Sequence, residues 1–99
     1  MNPIRITAVC YYNTLPFIYG IRHSGKLSGY ELSLDVPSQC AHKLLSDEAD
    51  IGLIPVGALP QFDPYHLVSD LCIGADKDVK SVLLLATSEL SQIKTIYLD

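Results

Sequence analysis

The sequence predicts an α/β protein, a three-layer structure built on a mostly parallel sheet. Three observations point there. Residues 4–10 and 51–54 are strand-like runs dominated by apolar side chains, and residues 30–36 alternate apolar and polar. The stretches between them carry apolar residues at helical spacing. The connections are short, so the right-handed crossover rule makes the strands parallel and covers both faces of the sheet. The alternating strand belongs at an edge, which places 4–10 between 30–36 and 51–54.

Each element has a local reason. In 4–10, Ile4, Ile6, Ala8 and Cys10 face one way and Thr7 and Val9 the other. A helix over about Leu15–His23 follows, with Phe17, Ile18 and Ile21 inward, and Ser24-Gly25-Lys26 ends it. Along 30–36, Leu32, Leu34 and Val36 point inward, leaving Glu31, Ser33 and Asp35 to water. Pro37 stops that strand. Ser38 is the expected cap of a second helix, whose inward stripe is Cys40, Ala41, Leu44 and Leu45. Ser46–Asp50 is an acidic turn, and Ile51–Ile54 reads as a buried strand in which Leu53, like Leu44, should lie deep. Val56–Leu59 makes a short helical turn before Pro60. Further strands are expected at 66–69, at 79–87 around the run Val82–Ala86, and at 94–98. A polar turn fills 70–78 and a turn covers 91–93.

Composition narrows the function. Ninety-nine residues with 48% hydrophobic content make one globular unit with a single core. There is no apolar run of about 18 residues and no signal-peptide pattern, so neither a membrane span nor secretion is expected. A net charge of −4 without a Lys/Arg cluster speaks against nucleic acid as a partner. Cys10, Cys40 and Cys72 lie far apart on apolar segments, without a Cys-x-x-Cys or a His at ligand spacing. They read as buried free thiols in a reducing compartment, and no metal site is expected. Phosphate loops, dinucleotide glycine motifs and nucleophile elbows are missing as well.

The stretch Val9–Phe17 carries the chemistry. Asn13 and Thr14 stand between a strand end and a helix start, where open α/β sheets bind ligands and free amides favour an anion. Either can cap the helix, and one can do so while its neighbour faces a ligand. Pro16 falls in the first turn, where a missing N–H costs nothing. Tyr11 and Tyr12 are adjacent, so at most one of them lines a site. Ser81 opens the apolar run 82–86, and a hydroxyl at that rim needs a partner. His23, His42 and His66 read as surface histidines, and Asp70, Asp76 and Asp78 as a solvated turn.

Taken together, these residues resemble a known family. The run Ile6-Thr7-Ala8-Val9-Cys10-Tyr11-Tyr12-Asn13-Thr14-Leu15-Pro16-Phe17 resembles the opening of the chorismate dehydratases of menaquinone biosynthesis, R-I-x-x-V-x-Y-x-N-T-x-P. Asp35-Val36-Pro37-Ser38, Asp50-Ile51-Gly52-Leu53-Ile54-Pro55-Val56, and Val68–Gly74 leading to Val79-Lys80-Ser81-Val82 are similar to it in the same order. Cys10 stands where many members have a small residue. The resemblance implies one lobe of a type-II periplasmic-binding-protein-like fold, with the substrate in a cleft between two lobes. It implies a cytoplasmic lyase that dehydrates chorismate, a small dicarboxylate, to 3-[(1-carboxyvinyl)oxy]benzoate in the futalosine pathway. No cofactor, nucleic acid or membrane is implied.

By the same resemblance, Asn13 and Ser81 map onto the family's cleft asparagine and serine and are the expected catalytic residues. Tyr11, Thr14, Ser38, Pro55 and Val56 fall on neighbouring positions expected to bind substrate. Family members are more than twice this length, so residues 1–99 are expected to form the first lobe alone, with a second lobe completing the site. Two alternatives remain. The sister dihydroxynaphthoate synthase opens more like S-P-C-P-N-D-T-F. A non-enzymatic small-anion-binding protein would usually carry a secretory signal.

Overall fold

The computed structural model describes residues 2–98. Three strands, β1 (Ile4–Val9), β2 (Tyr30–Asp35) and β3 (Ile51–Gly52), form one sheet in the order β2-β1-β3. Both pairings are parallel, with Ile6 opposite Leu32 and Ile51. The order and direction are those the hydrophobic pattern predicts. The chain steps from β1 to β2 through α1 (Leu15–His23), then back across β1 to β3 through α2 (Pro37–Leu45). These steps run in opposite directions, so right-handed crossovers put the two helices on opposite faces.

Alternation along β1 decides what each face meets. Ile6 and Ala8 are buried on one face, and Thr7 is fully buried on the other, beneath α2. Ile18 of α1 and Cys40 and Ala41 of α2 complete the middle of the core, with Ala49 and Ala58 at its margin. α1 ends as expected, with Ser24 closing the last turn and Gly25 at φ +64°, a left-handed conformation that glycine adopts without steric cost.

At the amino-terminal edge of the sheet an arginine holds β1 to the turn before β3. Arg5 Nε and Nη2 donate to the two carboxylate oxygens of Asp50 at 3.1 and 2.7 Å, and Nη1 donates to the Asp47 carbonyl at 2.6 Å. The backbones reciprocate: Arg5 N–H donates to the Asp50 carboxylate, and Asp50 N–H to the Arg5 carbonyl, each at 2.8 Å. The fork holds the Asp50 carboxyl at about 2, chiefly through its side-chain hydrogen bonds from Arg5, and raises the guanidinium.

Several expectations are corrected. β3 stops at Gly52, and Leu44 and Leu53 are half-buried, because the far side of β3 has no neighbouring strand. Leu34, Val36 and Leu45, expected to point inward, are nearly half exposed. Ser33 and Asp35 do not face water, since α2 covers that face and offers Lys43 as a partner. Cys10 and Cys72 are exposed, and Cys40 alone is a buried thiol, its pKa pushed up mainly by burial.

The largest difference lies beyond Gln61. Residues 66–69, 79–87 and 94–98 form no strands, and the expected turn at 91–93 is a short 3-10 helix, Leu90–Gln92. From residue 63 to 98 every residue except Ile93 is exposed. The radius of gyration, 17.1 Å, accordingly exceeds the roughly 13 Å of a compact chain of about 100 residues. β-structure is not local: an apolar run becomes a strand only beside another whose amides and carbonyls it can pair.

Candidate functional site

Because all three strands are parallel, their carboxyl ends share one edge of the sheet, and most of the expected site residues leave from it. β1 ends at Val9 and gives way to a 3-10 turn, Tyr12–Thr14, that feeds directly into α1. Tyr11 is about half exposed, and Asn13 is exposed on the turn. β2 leads through Val36 into α2, so Ser38 sits exposed in the first helical turn. β3 leads through Leu53 and Ile54 to Pro55 and Val56, both exposed at the start of the 3-10 helix Val56–Gln61. Between this helix and α2 lies a groove of about 550 Å³, lined by Ser38, Ala41, His42 and Leu45 on one side and Pro55 and Ala58 on the other.

Ser81 is not brought to this edge by a strand. It lies exposed in a segment without regular structure, because the run 79–87 that was expected to deliver it has no sheet neighbour.

The capping expectations are also revised. Thr14 occupies the cap position of α1 but makes no side-chain cap bond. A capping hydroxyl works from an extended backbone, whereas Thr14 enters already helical at φ −85°, ψ −14°. Pro16 at the second helical position also removes one of the amides it could have reached. The Thr14 side chain is fully buried, and its Oγ1 has no hydrogen-bond partner among the described residues. Ser38 does not cap α2 either. Pro37 takes the first helical position, where its fixed φ suits the helix, and Val36 becomes the flanking residue.

The sequence reading missed the polar cluster just behind this edge. The Asp35 carboxylate accepts hydrogen bonds from Thr7 Oγ1 at 2.9 Å and Ser33 Oγ at 2.7 Å. Lys43 Nζ donates to both of its oxygens at 2.8 and 2.7 Å. The hydrogen bond from Lys43 lowers the Asp35 pKa most, followed by that from Ser33. The spacing of Lys43 on the sheet-facing side of α2, opposite an alternate residue of β2, was the available signal. Among the described residues no group of three or more His, Cys, Asp or Glu could hold a metal ion. No helix there is long and apolar enough to cross a membrane.

The fold is that of an α/β protein with a parallel sheet, and polar side chains and helix starts gather at its strand ends. The chain belongs to the menaquinone-biosynthesis family: the family described as "Menaquinone biosynthesis" matches residues 4–99. No solved structure matches the chain.

Proposed function

We propose that the strand-end edge is one wall of the active site of a lyase that dehydrates chorismate to 3-[(1-carboxyvinyl)oxy]benzoate, in the futalosine route to menaquinone. The observation that carries this reading is the placement of the Tyr11-Tyr12-Asn13-Thr14 motif. It leaves the central strand at the same edge as Ser38 and Pro55-Val56. Membership of the family supports it. In this reading residues 1–99 form the first lobe of a two-lobed cytoplasmic enzyme, and the second lobe supplies the opposite wall.

The chemistry suits such a site. Chorismate is a dicarboxylate, and neutral donors and free amides at the first turns of α1 and α2 can hold carboxylates. The reaction removes the ring hydroxyl and the proton beside the enolpyruvyl ether, and aromatisation drives it. The matched positions offer no protein base, so the substrate's own enolpyruvyl carboxylate takes the proton. Asn13 would orient the ring and assist departure of the hydroxyl, and Ser81 would join it when substrate and second lobe order its segment.

Steady-state kinetics on the full-length enzyme test this. Asn13→Ala removes a donor and an acceptor, each hydrogen bond to a charged group being worth about 1.5–3 kcal/mol, so turnover should fall on the order of 10–100-fold. Ser81→Ala should act in the same direction. Wild-type turnover of chorismate in both variants would end the assignment.

A further inference from the structure

Asp35 stands where the exits of all three strands are tied together. It is the last residue of β2, in register with Val9. Its carbonyl accepts the Cys10 N–H at 3.0 Å, so it sets the point where β1 leaves the sheet for Tyr11–Thr14. The next residue, Val36, gives its carbonyl to the amides of Gln39 and Cys40 at 2.9 and 3.1 Å, which forms the turn that carries Ser38. The Asp35 carboxylate holds the hydroxyl of Thr7. The Thr7 backbone carbonyl accepts the Leu53 N–H at 3.1 Å, where the chain leaves β3 for Pro55 and Val56. Lys43, on α2, pins the carboxylate at both oxygens.

Such a cluster is a poor way to gain stability alone. The Asp35 and Lys43 side chains are only 18% and 25% exposed. Taking two charges that far out of water consumes much of their mutual attraction, and apolar replacements of similar shape are often no less stable. What the cluster provides is direction: the carboxylate ties Asp35, whose backbone meets the exits of β1 and β2, to Thr7 beside the exit of β3 and to Lys43 on α2.

We propose that Asp35, fixed by Lys43, is a positioning residue for the site at the strand ends, acting through Cys10, Val36 and Thr7 without touching substrate. This rests on the reading of that edge as the substrate site. Asp35→Asn keeps the shape and one acceptor oxygen but loses the charge. Lys43→Met keeps the stem of the side chain and loses the ammonium. The measurements are steady-state kinetics, urea melts and amide hydrogen exchange on the full-length protein. Each single variant should lose about tenfold or more in kcat per folded molecule with KM changed by less than about threefold, as expected when groups are misplaced rather than substrate contacts removed. The double variant should be no worse than the singles, since the two groups act as one unit. The amides of Cys10 and Leu53 should exchange faster in Asp35→Asn, with those of Ile6 and Ala8 unchanged. Wild-type kcat per folded molecule in both single variants, or a loss that merely tracks the unfolded fraction, would overturn the proposal. If the wild-type protein does not turn over chorismate, the substrate reading fails and exchange alone decides. Unchanged exchange at Cys10 and Leu53 then overturns the positioning role, and faster exchange upholds it.

Discussion

Gly52 of β3 packs closely against Leu44 of α2 and Thr7 of β1, and a single methyl there tests the sheet directly. A Cβ on Gly52 would lie 2.7 Å from Leu44 Cδ1, 2.9 Å from Thr7 Cγ2 and 3.2 Å from Leu44 Cγ. The two neighbours differ in how easily they give way. Leu44 is half-buried and the shortest contact is the far end of its flexible side chain. Thr7 is fully buried, β-branched, and held by its hydroxyl on Asp35, so its methyl cannot turn away without breaking that bond. Overpacking of this kind costs about 1–3 kcal/mol, and the reduced freedom of the unfolded chain in a Gly→Ala change returns about 0.4–1 kcal/mol. Gly52→Ala should therefore destabilise the protein by about 1–2 kcal/mol in urea melts. In a Thr7→Ser background, which keeps the hydroxyl and deletes the methyl, the penalty should fall by about 1 kcal/mol. A Leu44→Ala background should relieve less. A neutral Gly52→Ala, or a penalty unchanged by Thr7→Ser, would refute the assigned packing of β3 against β1.

Other expectations follow from burial and charge. Leu44→Ala and Leu53→Ala should each cost about 1–2 kcal/mol in equilibrium melts, below the 2–5 kcal/mol usual for a fully buried leucine, because both side chains stay partly exposed to water. Asp50 sits at about 2 against an ordinary 3.8, and Asp35 is lowered too. A depressed carboxyl stabilises the fold above its unfolded pKa and loses that contribution as pH falls through the folded value. Unfolding stability measured from pH 4 down to 2 should therefore drop less steeply in Asp50→Asn and in Asp35→Asn than in the wild type. Thr14→Val replaces a buried oxygen without a described partner by a methyl, so it should leave stability unchanged or raise it by about 1 kcal/mol. If that hydroxyl meets the substrate, the same variant should lower turnover, which steady-state kinetics would show.

Much of residues 4–61 was legible in the sequence because its signals are local. The period-2 alternation of 30–36 and the helical stripes of 15–23 and 40–45 each mark one inward face, 51–54 reads as a buried strand, and short connections leave few ways to join them. Those patterns alone determined a parallel sheet with 4–10 at its centre, and with it the edge at which Tyr11, Asn13, Thr14, Ser38, Pro55 and Val56 emerge. What only the tertiary structure decided depended on partners distant in the chain. Ser33 and Asp35 read as solvated strand residues until α2 laid Lys43 over the end of β2 and Thr7 joined them on the Asp35 carboxylate. Thr14 lost its cap role because the 3-10 turn before it set its backbone, which no single-residue preference records. The runs 66–69, 79–87 and 94–98 have the composition of strands, but composition supplies only apolar side chains. A strand also needs a neighbour for its backbone amides and carbonyls, and among the described residues these runs have none.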